Sequence, residues 1–357
     1  MEARIITAIG KAGPRNVAQL SRMTGAHQET IRYKIKKRFS RLGFGFHAQV
    51  DFDKLGLNLH WATLDFHRTH NGRAPQLLMK LNRVGYLTHF AKVVPQGNYI
   101  VLFALPRNAT DAYSEFLARL RDEGILRSFT LDRVLVSRHR AMDPRYFDFR
   151  SGQWEIDWRV LERQQPIPLP IGGGSHVEDF DYYDLLVIKE LQNDSLQHLT
   201  GIAKKLKVHQ KTLEYHYRTH VQKLKLVPSY GIRWTQDTTK RSTNSTITTR
   251  LIFHGLTKSE LDAVQGAVSK IPFLWMEDLL QSGDYIATLY TPVREMLNVF
   301  SYISAAAPDL ASKVGMSFVK PDETTSFTIP YNMYQSGAWR FNPRHMESAL
   351  QRESTAP

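Results

Sequence analysis

His27-Gln28-Glu29-Thr30-Ile31-Arg32-Tyr33 returns 182 residues later as His209-Gln210-Lys211-Thr212-Leu213-Glu214-Tyr215. Ile31, Ile35, Phe39 and Leu42 recur at the same offset as Leu213, Tyr217, Val221 and Leu224, and spacings of four, four and three put each set on one stripe of a helix. Further along, Gly97-Asn98-Tyr99 returns as Gly283-Asp284-Tyr285, and Tyr146-x-x-Phe149-Arg150-Ser151-Gly152-x-Trp154 as Tyr331-x-x-Tyr334-Gln335-Ser336-Gly337-x-Trp339, at offsets of 186 and 185. A unit of about 180 residues is therefore written twice, which has to be settled before any fold is assigned.

Around the opening stretch the pattern predicts three short helices. Gly10 and Gly13-Pro14 close the first, Asn16 caps the second, and Thr24-Gly25 separates it from a third that starts at Gln28. Phe44, Phe46, Ala48 and Val50 then alternate as in a strand or wing, so the segment reads as a winged helix-turn-helix. From Leu59 the order becomes strand, helix, strand, strand, helix, strand, which is ferredoxin-like, an antiparallel sheet with both helices on one face. The predicted class is α+β, a duplicated winged helix-turn-helix followed by a ferredoxin-like (βαββαβ) domain. Its boundaries are 1-52 and 53-158, a Pro/Gly linker at 159-177, 178-235 and 246-343, and a disordered tail at 344-357. Residues 236–246 are predicted to be a mobile polar loop.

Composition narrows the function classes. The 357 residues are 42% hydrophobic and contain no cysteine, which excludes disulfides, thiolate metal sites and a cysteine nucleophile. No apolar run approaches a membrane span and no signal-peptide core opens the chain, so a cytoplasmic, nucleoid-associated location is expected. The net charge of +13 is concentrated, with +8 in residues 1–50 and +7 in residues 200–234. Basicity focused on the two repeated helical segments points to a polyanionic partner, and double-stranded DNA is the expected one.

Asp181-Tyr182-Tyr183-Asp184-Leu185-Leu186, Glu190-Leu191-Gln192-Asn193-Asp194 and Ile202-Ala203-Lys204-Lys205-Leu206-Lys207-Val208 in the second copy resemble the helix-turn-helix opening of the Lrp/AsnC family of bacterial and archaeal transcription regulators. So do Thr30-Ile31-Arg32-Tyr33-Lys34-Ile35 and Val50-Asp51-Phe52-Asp53-Lys54-Leu55-Gly56 in the first. The resemblance implies a tandem regulator whose ferredoxin-like units are "RAM" domains, acting as a monomer with an internal pseudo-dimer or as a homodimer. The first copy lacks the acidic opening, and the Ser-Gly-x-Trp extensions are foreign to the family.

On that reading Gln28, Arg32, Tyr33 and Lys36 lie near bases with Arg22, Lys37 and Arg41 on phosphates. The matching set is Gln210, Lys211, Tyr215 and Arg218 near bases, with Lys204, Lys205 and Lys223 on phosphates. The two helices differ, Arg32 against Glu214, so two unequal half-sites are expected. The resemblance also implies a small effector, such as an amino acid, near Gly97, Asn98, Tyr99, Gly283, Asp284 and Tyr285. No catalytic residue, cofactor or metal is expected. His216 and His220 have the spacing of a two-histidine metal pair, but the sequence sets no carboxylate or third histidine beside them. Two alternatives stand beside the regulator. One is a tetrapyrrole enzyme, because tandem relatives include sirohaem decarboxylases; the other is an architectural chromatin protein binding DNA without sequence preference.

Overall fold

The computed structural model describes residues 1–140, 142–169, 176–234, 246–306 and 312–351. Most of the loop predicted at 236–246 and the linker glycines 172–174 lie outside the described residues. In chain order the elements are α1 (Glu2–Ala12), α2 (Val17–Thr24), α3 (Gln28–Tyr33) and β1 (Phe44–Gln49), then β2 (Leu57–Phe66), α4 (Ala74–Val84), β3 (Leu87–Val94), β4 (Tyr99–Pro106), α5 (Thr110–Asp122) and β5 (Leu126–His139). The second half holds α6 (Tyr182–Asn193), α7 (Leu199–Leu206), α8 (Gln210–Tyr215) and β6 (Ser229–Trp234). It continues with β7 (Thr246–Phe253), α9 (Lys258–Val268), β8 (Leu274–Leu280), β9 (Tyr285–Pro292), α10 (Met296–Ala306), β10 (Val314–Ser326) and α11 (Pro343–Gln351).

Local chemistry sets the helical boundaries. Asn16 caps α2 by accepting from the Gln19 amide at 3.1 Å, and Gly25 ends it in the left-handed conformation. The His27 and His209 rings accept from the Glu29 and Lys211 amides, both at 3.3 Å, so the repeated histidines are caps. Both third helices run on as π-helical turns, Lys34–Phe39 and His216–Gln222. Ile31, Ile35, Phe39, Leu213 and Val221 are buried on their inner faces.

The sheets depart from expectation. The eight long strands make one closed barrel in the order β8-β9-β7-β10-β3-β4-β2-β5, with β5 pairing back onto β8. This corrects the predicted fold class of two ferredoxin-like domains with open sheets. The cause lies in β5 and β10, which are 14 and 13 residues long. Residues 126–133 of β5 pair with β2 in their own half, and residues 134–139 cross to β8 in the other. β10 does the same, pairing first with β7 and then with β3. Two exposed sheet edges are thereby consumed within one chain.

The wings are consumed as well. β1 and β6 pair antiparallel, Phe44 opposite Trp234 and Gln49 opposite Ser229, so neither helical unit keeps a free wing. The ribbon packs crosswise. The first helical unit shares a core with β7, β8, β9, α9 and α10, while the second shares one with β2–β5, α4 and α5. The repeated Trp extensions brace these cores. Trp154 stacks edge-on against Trp234 at 5.3 Å, and Trp339 donates to the Leu55 carbonyl at 2.6 Å. The tail also departs from the expected disorder: α11 covers Pro343–Gln351, with Met346 fully buried, and residues 352–357 lie outside the described residues. Among the described residues no helix is long and apolar enough to cross a membrane.

At the β5–β8 seam Arg138 stands opposite Glu277, whose side chain is 0% exposed. Glu277 accepts from Arg138 Nε at 2.8 Å and from the Tyr285 hydroxyl at 2.8 Å, and Arg138 also donates to the Pro168 and Ile167 carbonyls at 2.6 and 2.7 Å. Removing one member of such a pair strands the other, at a cost of about 3–5 kcal/mol, whereas replacing both by apolar residues is close to neutral. Glu277→Ala is accordingly expected to lower the denaturant midpoint strongly and Glu277→Leu with Arg138→Met to restore most of it, which equilibrium unfolding in urea measures.

Candidate functional site

The β1–β6 ribbon presents two unlike faces. Phe44, Phe46 and Ala48 on β1, with Tyr230, Ile232 and Trp234 on β6, are buried on one side. The other side carries His47 and Gln49 opposite Gly231 and Ser229, with Arg233 opposite Gly45. Gly231 is required there: a Cβ would overlap the Gln49 amide and the His47 ring. Its absence lets those side chains fold across the ribbon, where Gln49 Nε2 donates to His47 Nε2 at 3.1 Å. His47 is thereby held as an acceptor, and burial, followed by the charge of Arg233 and the proximity of His139, lowers its pKa to about 3.

Beneath that face a cleft of about 440 Å³ opens between the ribbon, α1 and the segment that follows β5. Lys11, Gln49, His139, Arg140 and Arg145 line it, with Asp143 bound to Arg145. Arg140 is anchored by its backbone amide, which donates to the Trp275 carbonyl at 2.8 Å, and by its guanidinium, which donates to the Ser269 carbonyl. Arg140 and Met142 also line an adjoining aromatic crevice walled by Trp154, Trp234, Trp275 and Tyr290. The His139 ring meets Trp275 edge-on at 5.5 Å, and Trp275 lies over Tyr290 at 5.1 Å. Among the described residues His139 Nδ1 and Trp275 Nε1 are buried without a hydrogen-bond partner, an expense that native structures rarely leave unanswered.

The barrel interior continues the polar character. The Arg250 guanidinium stacks 3.9 Å above Trp61, whose Nε1 donates to Asp278 at 2.8 Å. Arg250 is 3% and Asp278 1% exposed, and burial lowers the former's pKa to about 10 while raising the latter's. Arg250 Nε has no hydrogen-bond partner among the described residues. His89 bonds the Ser326 hydroxyl at 2.9 Å and stands edge-on to Trp61. Burial, then Arg250 and Arg233, lowers its pKa to about 4, and burial alone does the same for His139. His139, a neutral imidazole, therefore faces the cleft together with Lys11, Arg140 and Arg145. Such a group recognises carboxylates and gains protons when they arrive.

The residues predicted for DNA lie elsewhere. Arg22, Arg32, Tyr33, Lys36, Lys37 and Arg41 are exposed on the first unit with Gln28 half-buried, and Lys204, Lys205, Gln210, Lys211, Tyr215, Arg218 and Lys223 are exposed on the second. Several are engaged locally, Arg32 with Glu29, Gln210 with Glu214 and Lys205 with Glu190. Gly97 and Gly283 make left-handed turns, Asn98 is half-buried, Asp284 bonds His254, and the Tyr99 and Tyr285 hydroxyls bond Glu323 and Glu277. None of these positions lines the cleft. His47, Gln49, His139, Arg140 and Gly231 were missed. For His47, Gln49 and Gly231 the one sequence signal was polar or small residues alternating with apolar ones along the wing strands; His139 and Arg140, at the end of β5, carried none. His216 and His220 do meet a carboxylate, Asp184, from α6.

No family model and no curated protein matches the chain. Among solved structures, the siroheme decarboxylase NirDL in co-complex with an iron-uroporphyrin III analogue matches over 98% of this chain and 99% of its own, at TM-score 0.57 and 10% identity. A second structure of NirDL matches over 99% and 100%, at 0.57 and 9%. The leucine response regulatory protein of Mycobacterium tuberculosis matches over 36% of this chain and 88% of its own, at 0.26 and 17%. The full-length likeness overturns the expected Lrp/AsnC-type regulator. With it go the DNA partner and the expectation of a non-enzyme, and nothing supports the nucleoid location; the two wings pair with each other while both third helices keep exposed outer faces.

Two outcomes follow from the cleft. Gly231→Ala is expected to cost about 1–3 kcal/mol through overpacking and to displace His47 and Gln49, read as a lowered midpoint in urea. His47, His89 and His139 are held below the ordinary 6.5, so protons favour the unfolded chain; their contribution is complete above pH 6.5 and lost as pH falls toward about 4 and then 3. Melting temperature is expected to fall between pH 7 and pH 5, and less steeply in His139→Gln.

Proposed function

We propose that the chain is an enzyme that removes carboxyl groups from the side chains of an iron-bearing tetrapyrrole, in the manner named for NirDL. The observation that carries this reading is the cleft, where a buried His139 Nδ1, without a partner among the described residues, sits with Lys11, Arg140 and Arg145 beside the aromatic Trp275–Tyr290 pair. The whole-length likeness to NirDL supports it. A modified tetrapyrrole is a flat macrocycle fringed with carboxylates, and the roomy cationic cleft matches that fringe.

The chemistry assigns each group a task. Lys11 and Arg145 hold carboxylates of the fringe, and Arg140, in the wall of the cleft, orients the macrocycle. In the reacting arm the bond between the carboxylate carbon and the methylene breaks and carbon dioxide leaves. The electron pair left on the methylene carbon, delocalised into the macrocycle, takes a proton. His139 supplies that proton. Its pKa of about 4 in the free protein leaves it neutral, and the arriving carboxylates raise its proton affinity so that it enters the step charged. No oxidant is consumed.

Incubation with sirohaem, followed by mass spectrometry of the macrocycle, is expected to show loss of carbon dioxide; an unchanged macrocycle under conditions where it binds overturns the reading. His139→Gln is expected to slow the step by roughly 10²–10⁴-fold while leaving binding nearly intact. Lys11→Ala and Arg145→Ala are each expected to weaken binding about tenfold, the equivalent of one charge-assisted hydrogen bond. Calorimetry in buffers of different ionisation heat is expected to show proton uptake on binding, strongest near neutral pH.

A further inference from the structure

The two helical units solve one electrostatic problem in two ways. In the first, the Glu2 carboxylate at the start of α1 pairs with Lys34 Nζ at 2.6 Å, and Arg38 one turn on donates to the Phe149 carbonyl. The positions 182 residues later hold Asp184, His216 and His220. Asp184 is fully buried, and its two oxygens receive His216 Nδ1 at 2.9 Å and His220 Nδ1 at 2.7 Å. The first unit carries a permanent cation against its carboxylate; the second has two imidazoles instead. Asp181 adds a further carboxylate oxygen 3.6 Å from His216 Nδ1, at the solvent edge.

We propose that Asp184, His216 and His220 form a binding site for a divalent transition-metal ion of the zinc class. Donor types and placement both support this. Two imidazole nitrogens and a carboxylate oxygen are what such an ion selects, and here they meet from α6 and from the helical turns after α8. Ligand atoms around a tetrahedral ion at about 2.0–2.1 Å stand roughly 3.3 Å apart, so the rings need to retreat by only about half an ångström. On binding, each imidazole gives its Nδ1 lone pair to the ion and carries its proton on Nε2. Asp181 or water fills the fourth position. The charge of the ion then offsets the buried carboxylate as Lys34 does in the first unit, and the ion clamps the recognition-type helix onto α6. None of the three residues lines the cleft, so the site stands apart from the decarboxylase reading.

The test uses the full chain after treatment with EDTA and dialysis. Zn²⁺ added alone is expected to bind once per chain by calorimetry and to raise the melting temperature by several degrees. Co²⁺ is expected to give the visible absorption bands of a tetrahedral site. His220→Gln, at a half-buried position, and Asp184→Asn are expected to lose both signals, while Lys34→Met in the first unit keeps them. Absence of the cobalt bands in the unaltered chain, or zinc binding that survives in the His216→Gln/His220→Gln double variant, overturns the proposal. So does a melting temperature that follows pH but ignores zinc, which leaves Asp184 as a hydrogen-bonded latch.

Discussion

Closure of the barrel at the β5–β8 seam is the constraint on which the rest of the molecule depends. Arg138 and Glu277 face each other across it with Tyr285 completing the carboxylate's shell, and the same arginine holds the carbonyls of Ile167 and Pro168. A buried ion pair contributes little net stability and a great deal of register, because only one alignment satisfies every donor. That alignment fixes where β5 ends. His139 is its last residue, and Arg140 follows with its amide on the Trp275 carbonyl, so the seam places the cleft's two central side chains.

The duplication supplies the second constraint. Two copies in one chain let each copy's long strand finish the other copy's sheet, and let the two wings finish each other. The ribbon so formed gives the cleft one wall, with Gln49, Ser229, Tyr230 and Gly231. Asymmetry between the copies then matters as much as their likeness. Gly10, which lines the cleft, corresponds to Gln192 in the second copy, where the longer side chain accepts from the Ile329 amide at 2.8 Å. Glu2 and Lys34 likewise correspond to Asp184 and His216.

Local structure was legible in the sequence wherever one short-range rule dominated. The stripe of Ile31, Ile35 and Phe39 faces a core, and Asn16 and Gly25 bound α2. Closure was not legible. β10 continues through Lys320-Pro321-Asp322-Glu323, which reads as a loop, and its register shifts between Val319 and Thr324 before it reaches β3. The basic segments misled for a related reason. Their charge is real, but Lys34, Arg32 and Lys205 are partly neutralised by Glu2, Glu29 and Glu190, and the two wings are spent on each other. The cleft gathers side chains from α1, β1, β6 and the end of β5, which are distant in sequence and share no motif. The carboxylate beside His216 and His220 was missed similarly, since Asp184 comes from a helix two elements earlier.

A crystal structure of the chain soaked with an iron uroporphyrin tests the account most directly, because it locates the macrocycle without relying on turnover. The ring is expected beneath the β1–β6 ribbon, with its carboxylates on Lys11 and Arg145 and one arm within hydrogen-bond reach of His139 Nδ1. A macrocycle bound on the outer faces of α3 or α8, or a cleft that stays empty at saturating ligand, contradicts it.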